Sequence, residues 1–169
     1  MLQFVAMQTE PIKLLFVCLG NICRSPTGEG VMRHLVKEAG LEHRFEIDSA
    51  GTGSWHIGDS PDRRSVAAAA ARGIVIGGRA RQVSGADFDH YDLILAADEY
   101  NLRDLQAIAP TDEDEAKVHL LREFDPMSTR DDLDVPDPYY GGPSGFDDVI
   151  DLVEAACRGL LDDVLSEKV

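Results

Sequence analysis

The sequence predicts an α/β fold with a parallel sheet between layers of helices, and three observations predict it. Short apolar runs rich in β-forming residues recur at residues 12–17, 45–49, 92–97 and 117–121, segments with helical spacing lie between them, and glycine and proline punctuate the joins. Strands joined through helices build βαβ units, which put a parallel sheet at the centre of three layers. Ligands in such folds gather beyond the carboxyl ends of the strands, where Cys18, the loop from Gly51 and Asp98 fall.

The elements follow in order. Residues 1–11 show no clear period and end in Pro11, so they read as a leader ahead of a single domain over 12–169. The run Ile12 to Val17 is nearly all apolar, the pattern of a strand buried on both faces. A turn from Cys18 feeds a helix start, with Ser25 as a suitable N-cap and Pro26 in the first helical position, and Gly40 as the stop. Phe45 to Ser49 alternates as a strand and runs into Gly51-Thr52-Gly53. Asp62 precedes an alanine-rich helix that Gly73 ends. Residues 92–97 form the next strand, Asp98 opens a helix to about Ile108, and residues 117–121 form a fourth, shorter strand. Residues 125–145 carry loop chemistry, and Ser144 can cap a last helix. Its apolar positions, from Phe146 through Val149, Ile150, Val153 and Cys157 to Leu160, recur at threes and fours, which makes Cys157 a core residue.

At 169 residues and 44% hydrophobic, the chain has the size of one domain with a sizeable core. A formal charge of -15, from 31 acidic and 16 basic side chains, repels nucleic acid and anionic lipid. No nucleic-acid partner and no membrane insertion are expected. Three cysteines make no disulfide framework, and no apolar run is long enough to cross a bilayer, so a cytoplasmic protein is expected. A small anion still fits an acidic body where backbone N–H groups and an arginine supply local positive potential.

That condition is met at one place. Cys18-Leu19-Gly20-Asn21-Ile22-Cys23-Arg24-Ser25-Pro26 sets a cysteine at a strand end, a turn, an arginine and a helix start. Such a turn can curl its amides onto one point while Arg24 closes the ring with a planar fork, the donor set that a phosphate asks for. The helix end and Arg24 favour an anion at Cys18, the nucleophilic form of a thiol. Ser25 has two uses, as a donor to the sulfur or as a helix cap. A leaving alkoxide or phenolate needs a proton, and Asp137, between Pro136 and Pro138, is the candidate general acid, although an aspartate there also suits a turn. Tyr139 and Tyr140 read as core anchors or as a substrate wall, and Trp55 as packing or as a lining of the mouth.

From Lys13 to the last helix, the sequence resembles the low-molecular-weight protein tyrosine phosphatase family. The resemblance rests on Cys18 to Pro26, Asp48-Ser49-Ala50-Gly51-Thr52, Ala80-Arg81-Gln82, Asn101-Leu102-Arg103 and Asp137-Pro138-Tyr139-Tyr140-Gly141. It implies a four-stranded parallel sheet with a phosphate-binding loop after the first strand, and neither metal nor organic cofactor. It further implies Cys18 as nucleophile, Arg24 as phosphate clamp and Asp137 as general acid. Leu19, Gly20, Asn21, Ile22, Cys23 and Ser25 would complete the loop, Asn21 holding its shape and Ser25 stabilising the thiolate. Ser49 would support it from behind, Cys23 would form a reversible protective disulfide with Cys18, and Trp55, Tyr139 and Tyr140 would flank the entrance.

The resemblance thus implies hydrolysis of protein phosphotyrosine, with aryl phosphates accepted, and phosphate or other tetrahedral oxyanions as ligands. Phosphoarginine hydrolysis and arsenate reduction are the alternatives within the superfamily of such loops, and a silent phosphate-binding module is the alternative outside it. Ile22 resembles the tyrosine-specific branch, since phosphoarginine relatives place threonine there. Arsenate reductases use two further cysteines after the second helix, and residues 70–100 contain none. One departure stands out: many relatives have Ser-His where this chain has Gly77-Gly78, which predicts a looser support behind the loop.

Overall fold

The computed structural model describes residues 10–142 and 144–169. The expected leader therefore lies outside the described residues except for Glu10 and Pro11. Strands β1 (Ile12–Cys18), β2 (Phe45–Gly51), β3 (Leu93–Ala96) and β4 (Val118–Leu120) form one sheet in the order β2-β1-β3-β4. All neighbouring pairs are parallel, as the βαβ pattern requires. The helices are α1 (Arg24–Glu38), α2 (Arg63–Ala70), α3 (Gly85–His90), α4 (Glu99–Ile108), α5 (Asp112–Glu115) and α6 (Ser144–Leu165).

Alternation along the central strand explains why β1 is apolar from Leu14 to Cys18. Leu14, Phe16 and Cys18 join a core with Val31, Met32 and Leu35 of α1 and with Val149, Ile150, Val153 and Leu160 of α6. Leu15 and Val17 point to the other face, into a core with Phe88 of α3, Tyr91, Ile94 and Leu105 of α4. Helices thus cover both faces, and Leu14 to Cys18 are all buried. Gly28 lets α1 lie close on the sheet, because a Cβ there would stand 2.6 Å from the Phe16 ring.

Register brings the strand ends together at the site. Cys18 pairs with Gly51 and Val17 with Ala96, so β1, β2 and β3 end at the same edge. The last residue of β2 continues this alignment: Gly51 N–H donates to the Arg81 carbonyl (2.8 Å) and Val83 N–H to the Gly51 carbonyl (2.8 Å). Arg81 is pinned in turn by Asp87 (two contacts of 3.1 Å) and Asp48 (3.1 Å). Burial opposes its charge, but these carboxylates outweigh it and hold the guanidinium above its ordinary pKa.

Three local expectations need correction. Helix α1 starts at Arg24 with Cys23 in the N-cap position and no side-chain cap, so Ser25 is not the cap, its hydroxyl being engaged elsewhere. Helices α3 and α5 have no counterpart in the sequence reading. The first has six residues around Phe88 and the second reads Asp-Glu-Asp-Glu, so neither shows an apolar period; capping by Ser84 and Thr111 starts them. Ser144 is the first residue of α6 rather than a residue ahead of it.

Candidate active site

The loop between β1 and α1 has its shape fixed from outside. Thr52 and Gly53 N–H groups donate to the carbonyls of Cys18 and Leu19 (both 2.9 Å), Asp62 N–H donates to that of Ile22 (2.8 Å), and Thr27 N–H to that of Cys23 (3.1 Å). Every peptide bond described is trans, so each carbonyl turned outward points the following N–H the opposite way. The amides of Leu19, Gly20, Cys23 and Arg24 therefore face the inside of the loop, joined there by the first turn of α1.

Asn21 makes the sharp bend, with φ of 54° in the left-handed region that asparagine tolerates. Its side chain is fully engaged. The Nδ2 group donates to Ser25 Oγ (2.8 Å) and Ser49 Oγ (3.0 Å), and Oδ1 accepts from Arg81 N–H (3.0 Å). Ser49 Oγ in turn donates a hydrogen bond to Glu29 Oε1 (2.8 Å). Ser25 Oγ, which accepts from Asn21, lies 3.0 Å from Cys18 Sγ and 3.3 Å from the Ala50 carbonyl, the two places its own proton can go. Of its two possible uses, the hydroxyl is in contact with the sulfur and does not cap the helix. The support behind the loop ends on Glu29, beside a cavity of about 500 Å³ that Gly77 and Gly78 help to line.

Arg24 is 5% exposed. Its Nη1 donates to Asp98 Oδ2 (2.6 Å) and to the Val135 carbonyl (2.9 Å), while Nη2 stands 3.7 Å from Asp137 Oδ2. Anchoring through Nη1 leaves the Nε and Nη2 edge to present a fork. Burial opposes the charge on Arg24, but the Cys18 sulfur, Asp98 and Asp137 together outweigh burial and raise its pKa. The arginine is a permanent cation beside the sulfur.

Above the loop opens a cleft of about 450 Å³. Cys18, Leu19, Gly20, Ile22, Cys23 and Arg24 form its base, and Trp55, His56, Asp137, Tyr139 and Tyr140 its walls. Tyr140 is 92% exposed and Trp55 73%, so neither is a core anchor. Trp55 folds back over Gly53, where any Cβ would overlap its ring. Tyr139 and Tyr140 meet edge to face with centroids 4.8 Å apart. Asn21, Ser25 and Ser49 sit behind the base, joined to one another through the Asn21 amide. Burial foremost, with Asp62 adding to it, pushes the Cys23 thiol up to about 12, so it stays protonated at neutral pH.

Some residues of the site escaped the sequence reading. Asp98 was legible as a strand-end carboxylate but not as the partner of Arg24, Arg81 was legible only as part of Ala80-Arg81-Gln82, and Glu29 and His56 carried no signal of their own, because their roles need contacts across the fold.

Residues 13–169 match the family model described as "Low molecular weight phosphotyrosine protein phosphatase". The chain is 51% identical over 149 residues to a low molecular weight protein-tyrosine-phosphatase of Streptomyces coelicolor, covering 88% of this chain and 91% of that protein. Among solved structures, a protein tyrosine phosphatase from Entamoeba histolytica with Hepes in its active site superposes with a TM-score of 0.89 at 39% identity, over 94% of this chain and 99% of that one. A Drosophila arginine phosphatase superposes with a TM-score of 0.84 at 32% identity, over 90% of this chain and 98% of that one. With the sheet, the loop and the cleft in place, the chain belongs to the low molecular weight phosphotyrosine protein phosphatase family.

Proposed function

We propose that this chain hydrolyses phosphotyrosine in proteins, and aryl phosphates, through a phosphocysteine on Cys18. The observation that carries the reading is one cleft with a sulfur at its base, an arginine fork and inward amides around it, and a carboxylate and aromatic rings above it. The phosphate oxygens meet the amides of the loop and the free edge of Arg24. Cys18 attacks phosphorus, the bond to the tyrosine oxygen breaks, and Asp137 gives that oxygen its proton. Water then attacks the phosphocysteine and Asp137 takes its proton back; inorganic phosphate leaves and the thiolate returns.

Ring-shaped walls and the apolar Ile22 suit a flat aryl group. A phosphoarginine guanidinium would find at Ile22 neither a hydrogen-bond acceptor nor a charge. Arsenate reduction needs a relay of thiols, and Cys157 is fully buried in the core on α6. Cys23 lines the same cleft as Cys18. It is the partner for a reversible disulfide, formed when peroxide oxidises Cys18 to the sulfenic acid and the Cys23 thiol displaces water. Its high pKa keeps Cys23 a thiol, the form that reacts slowly with peroxide. A reducing cytoplasm fits a chemistry that depends on free thiols, with phosphotyrosine proteins as partners and residues 12–169 as one catalytic domain.

The test offers a phosphotyrosine peptide, phosphoarginine, and arsenate with thiol reductant to the same preparation. Turnover of the first is expected, and negligible turnover beside rapid conversion of either other substrate would reject the reading. Cys18→Ser should abolish turnover yet still bind phosphate. A protein with no turnover to lose would be a silent binding module.

A further inference from the structure

Resting on that reading, we infer that Arg64 of α2 is a positioning residue for the general acid, tying the segment that carries Asp137 to the phosphate loop. The segment from Pro136 to Gly142 has no secondary structure, and its N-terminal side is fixed at Val135, whose N–H donates to the Ala97 carbonyl (2.8 Å) and whose carbonyl accepts from Arg24. Beyond Val135 the hydrogen bonds are short-range, Tyr139 N–H to Asp137 Oδ1 (3.1 Å) and Gly141 N–H to the Pro138 carbonyl (3.0 Å). Among the described residues, two hydrogen bonds join residues 136–142 to a helix: Gly145 N–H at the adjoining start of α6 donates to the Gly142 carbonyl (3.0 Å), and Arg64, from a distant part of the chain, donates through Nη1 to the Tyr139 carbonyl at 3.3 Å; Arg24 Nη2 adds an ion pair to Asp137 at 3.7 Å.

The rest of the Arg64 side chain is already placed by the phosphate loop. Asp62, whose N–H holds the Ile22 carbonyl, caps α2 by accepting from Arg64 N–H (2.8 Å). Its carboxylate then takes Arg64 Nε (3.1 Å) and Nη2 (2.9 Å) as a fork. That arrangement holds the Asp62 carboxyl below its usual range, with the Arg64 hydrogen bond the leading cause. With two of its nitrogens committed, the guanidinium is a flat plate in fixed orientation, 4.6 Å from the centroid of Phe146 and 5.3 Å from that of Tyr139. Phe146 is buried at the start of α6, just after the segment. The chain of contacts runs from Ile22 through Asp62 and Arg64 to Tyr139, two residues from Asp137. Arg64 itself does not line the cleft, so it acts through the acid and not on the phosphate.

A misplaced acid matters in proportion to the proton the leaving group needs. Arg64→Ala should lower kcat for a phosphotyrosine peptide by roughly tenfold, part of the 10²–10⁴ that a general acid supplies, and for p-nitrophenyl phosphate by about twofold or less. Inhibition by inorganic phosphate should stay unchanged. Arg64→Lys keeps the charge but cannot both fork Asp62 and reach the Tyr139 carbonyl, so it should show the same discrimination between leaving groups with little loss of thermal stability. In an Asp137→Ala background, adding Arg64→Ala should cost nothing further, because the group it positions is gone. Equal losses on both substrates, weakened phosphate inhibition, or additive losses in the double variant would overturn the inference while leaving the phosphatase reading intact. A wild-type protein that fails to turn over the peptide would take both down.

Discussion

Asn21 illustrates how a single side chain decides the chemistry of its neighbour. With both Nδ2 protons given to serines and Oδ1 taken by Arg81, it has one orientation, and that orientation turns the Ser25 proton away from Asn21, toward Cys18 Sγ and the Ala50 carbonyl. Arg24 is fixed with equal economy by Asp98, which also caps α4 through its other oxygen to Asn101 N–H (2.8 Å). Asp98→Asn separates these duties, since asparagine caps as well as aspartate but sets an amide or a neutral oxygen against the guanidinium. A lost charged hydrogen bond of about 1.5–3 kcal/mol corresponds to phosphate inhibition weakened about tenfold to a hundredfold, with α4 intact by circular dichroism. Unchanged phosphate affinity would show that Asp98 does not set the clamp. Asp137→Ala belongs to the same scale: its loss should be larger for a phosphotyrosine peptide than for p-nitrophenyl phosphate, and equal losses would count against proton donation.

At the scale of elements, the loop is strung between β1 and α1, so the distance between these two sets its curl. Gly28 fixes that distance. On an exposed helix, Gly→Ala stabilises by roughly 1 kcal/mol. Here the new methyl meets the ring of Phe16, which is 1% exposed and has no room to turn, and overpacking costs about 1–3 kcal/mol. The clash wins, so Gly28→Ala should lower the urea midpoint and raise KM together; a stabilised variant would mean that α1 sits less tightly than described. The strands and long helices were legible because buried faces impose a period on the sequence. Helices α3 and α5 were not, since short capped turns write no period, and Ser25 looked like a cap because its type suits both jobs.

Across the whole molecule, buried neutral acids set the alkaline limit. Burial raises the Cys23 thiol to about 12, and burial with the nearby Asp48 raises the Tyr91 hydroxyl to about 12. Burial also raises the Cys157 thiol. In each case the folded pKa exceeds the unfolded one, so the folded state holds its protons longer. The stability this gives is whole below the unfolded values of about 8.5 and 10, and is lost as pH climbs toward 12. Urea midpoints should therefore fall progressively above about pH 9. A flat profile from pH 8 to 11 would show that these groups ionise in place without penalty.

By itself the sequence determined the strand and helix order, the anion-ready turn from Cys18 to Arg24 and the aspartate among prolines, because period, capping and turn chemistry act between near neighbours. Only the tertiary structure decided that Asp98 holds Arg24, that Glu29 anchors Ser49, that Arg64 reaches Tyr139, and that Trp55 and Tyr140 stand open to solvent. Those pairings join residues 20 to 75 positions apart. No local rule reaches that far: they exist because the parallel register brings three strand ends to one edge.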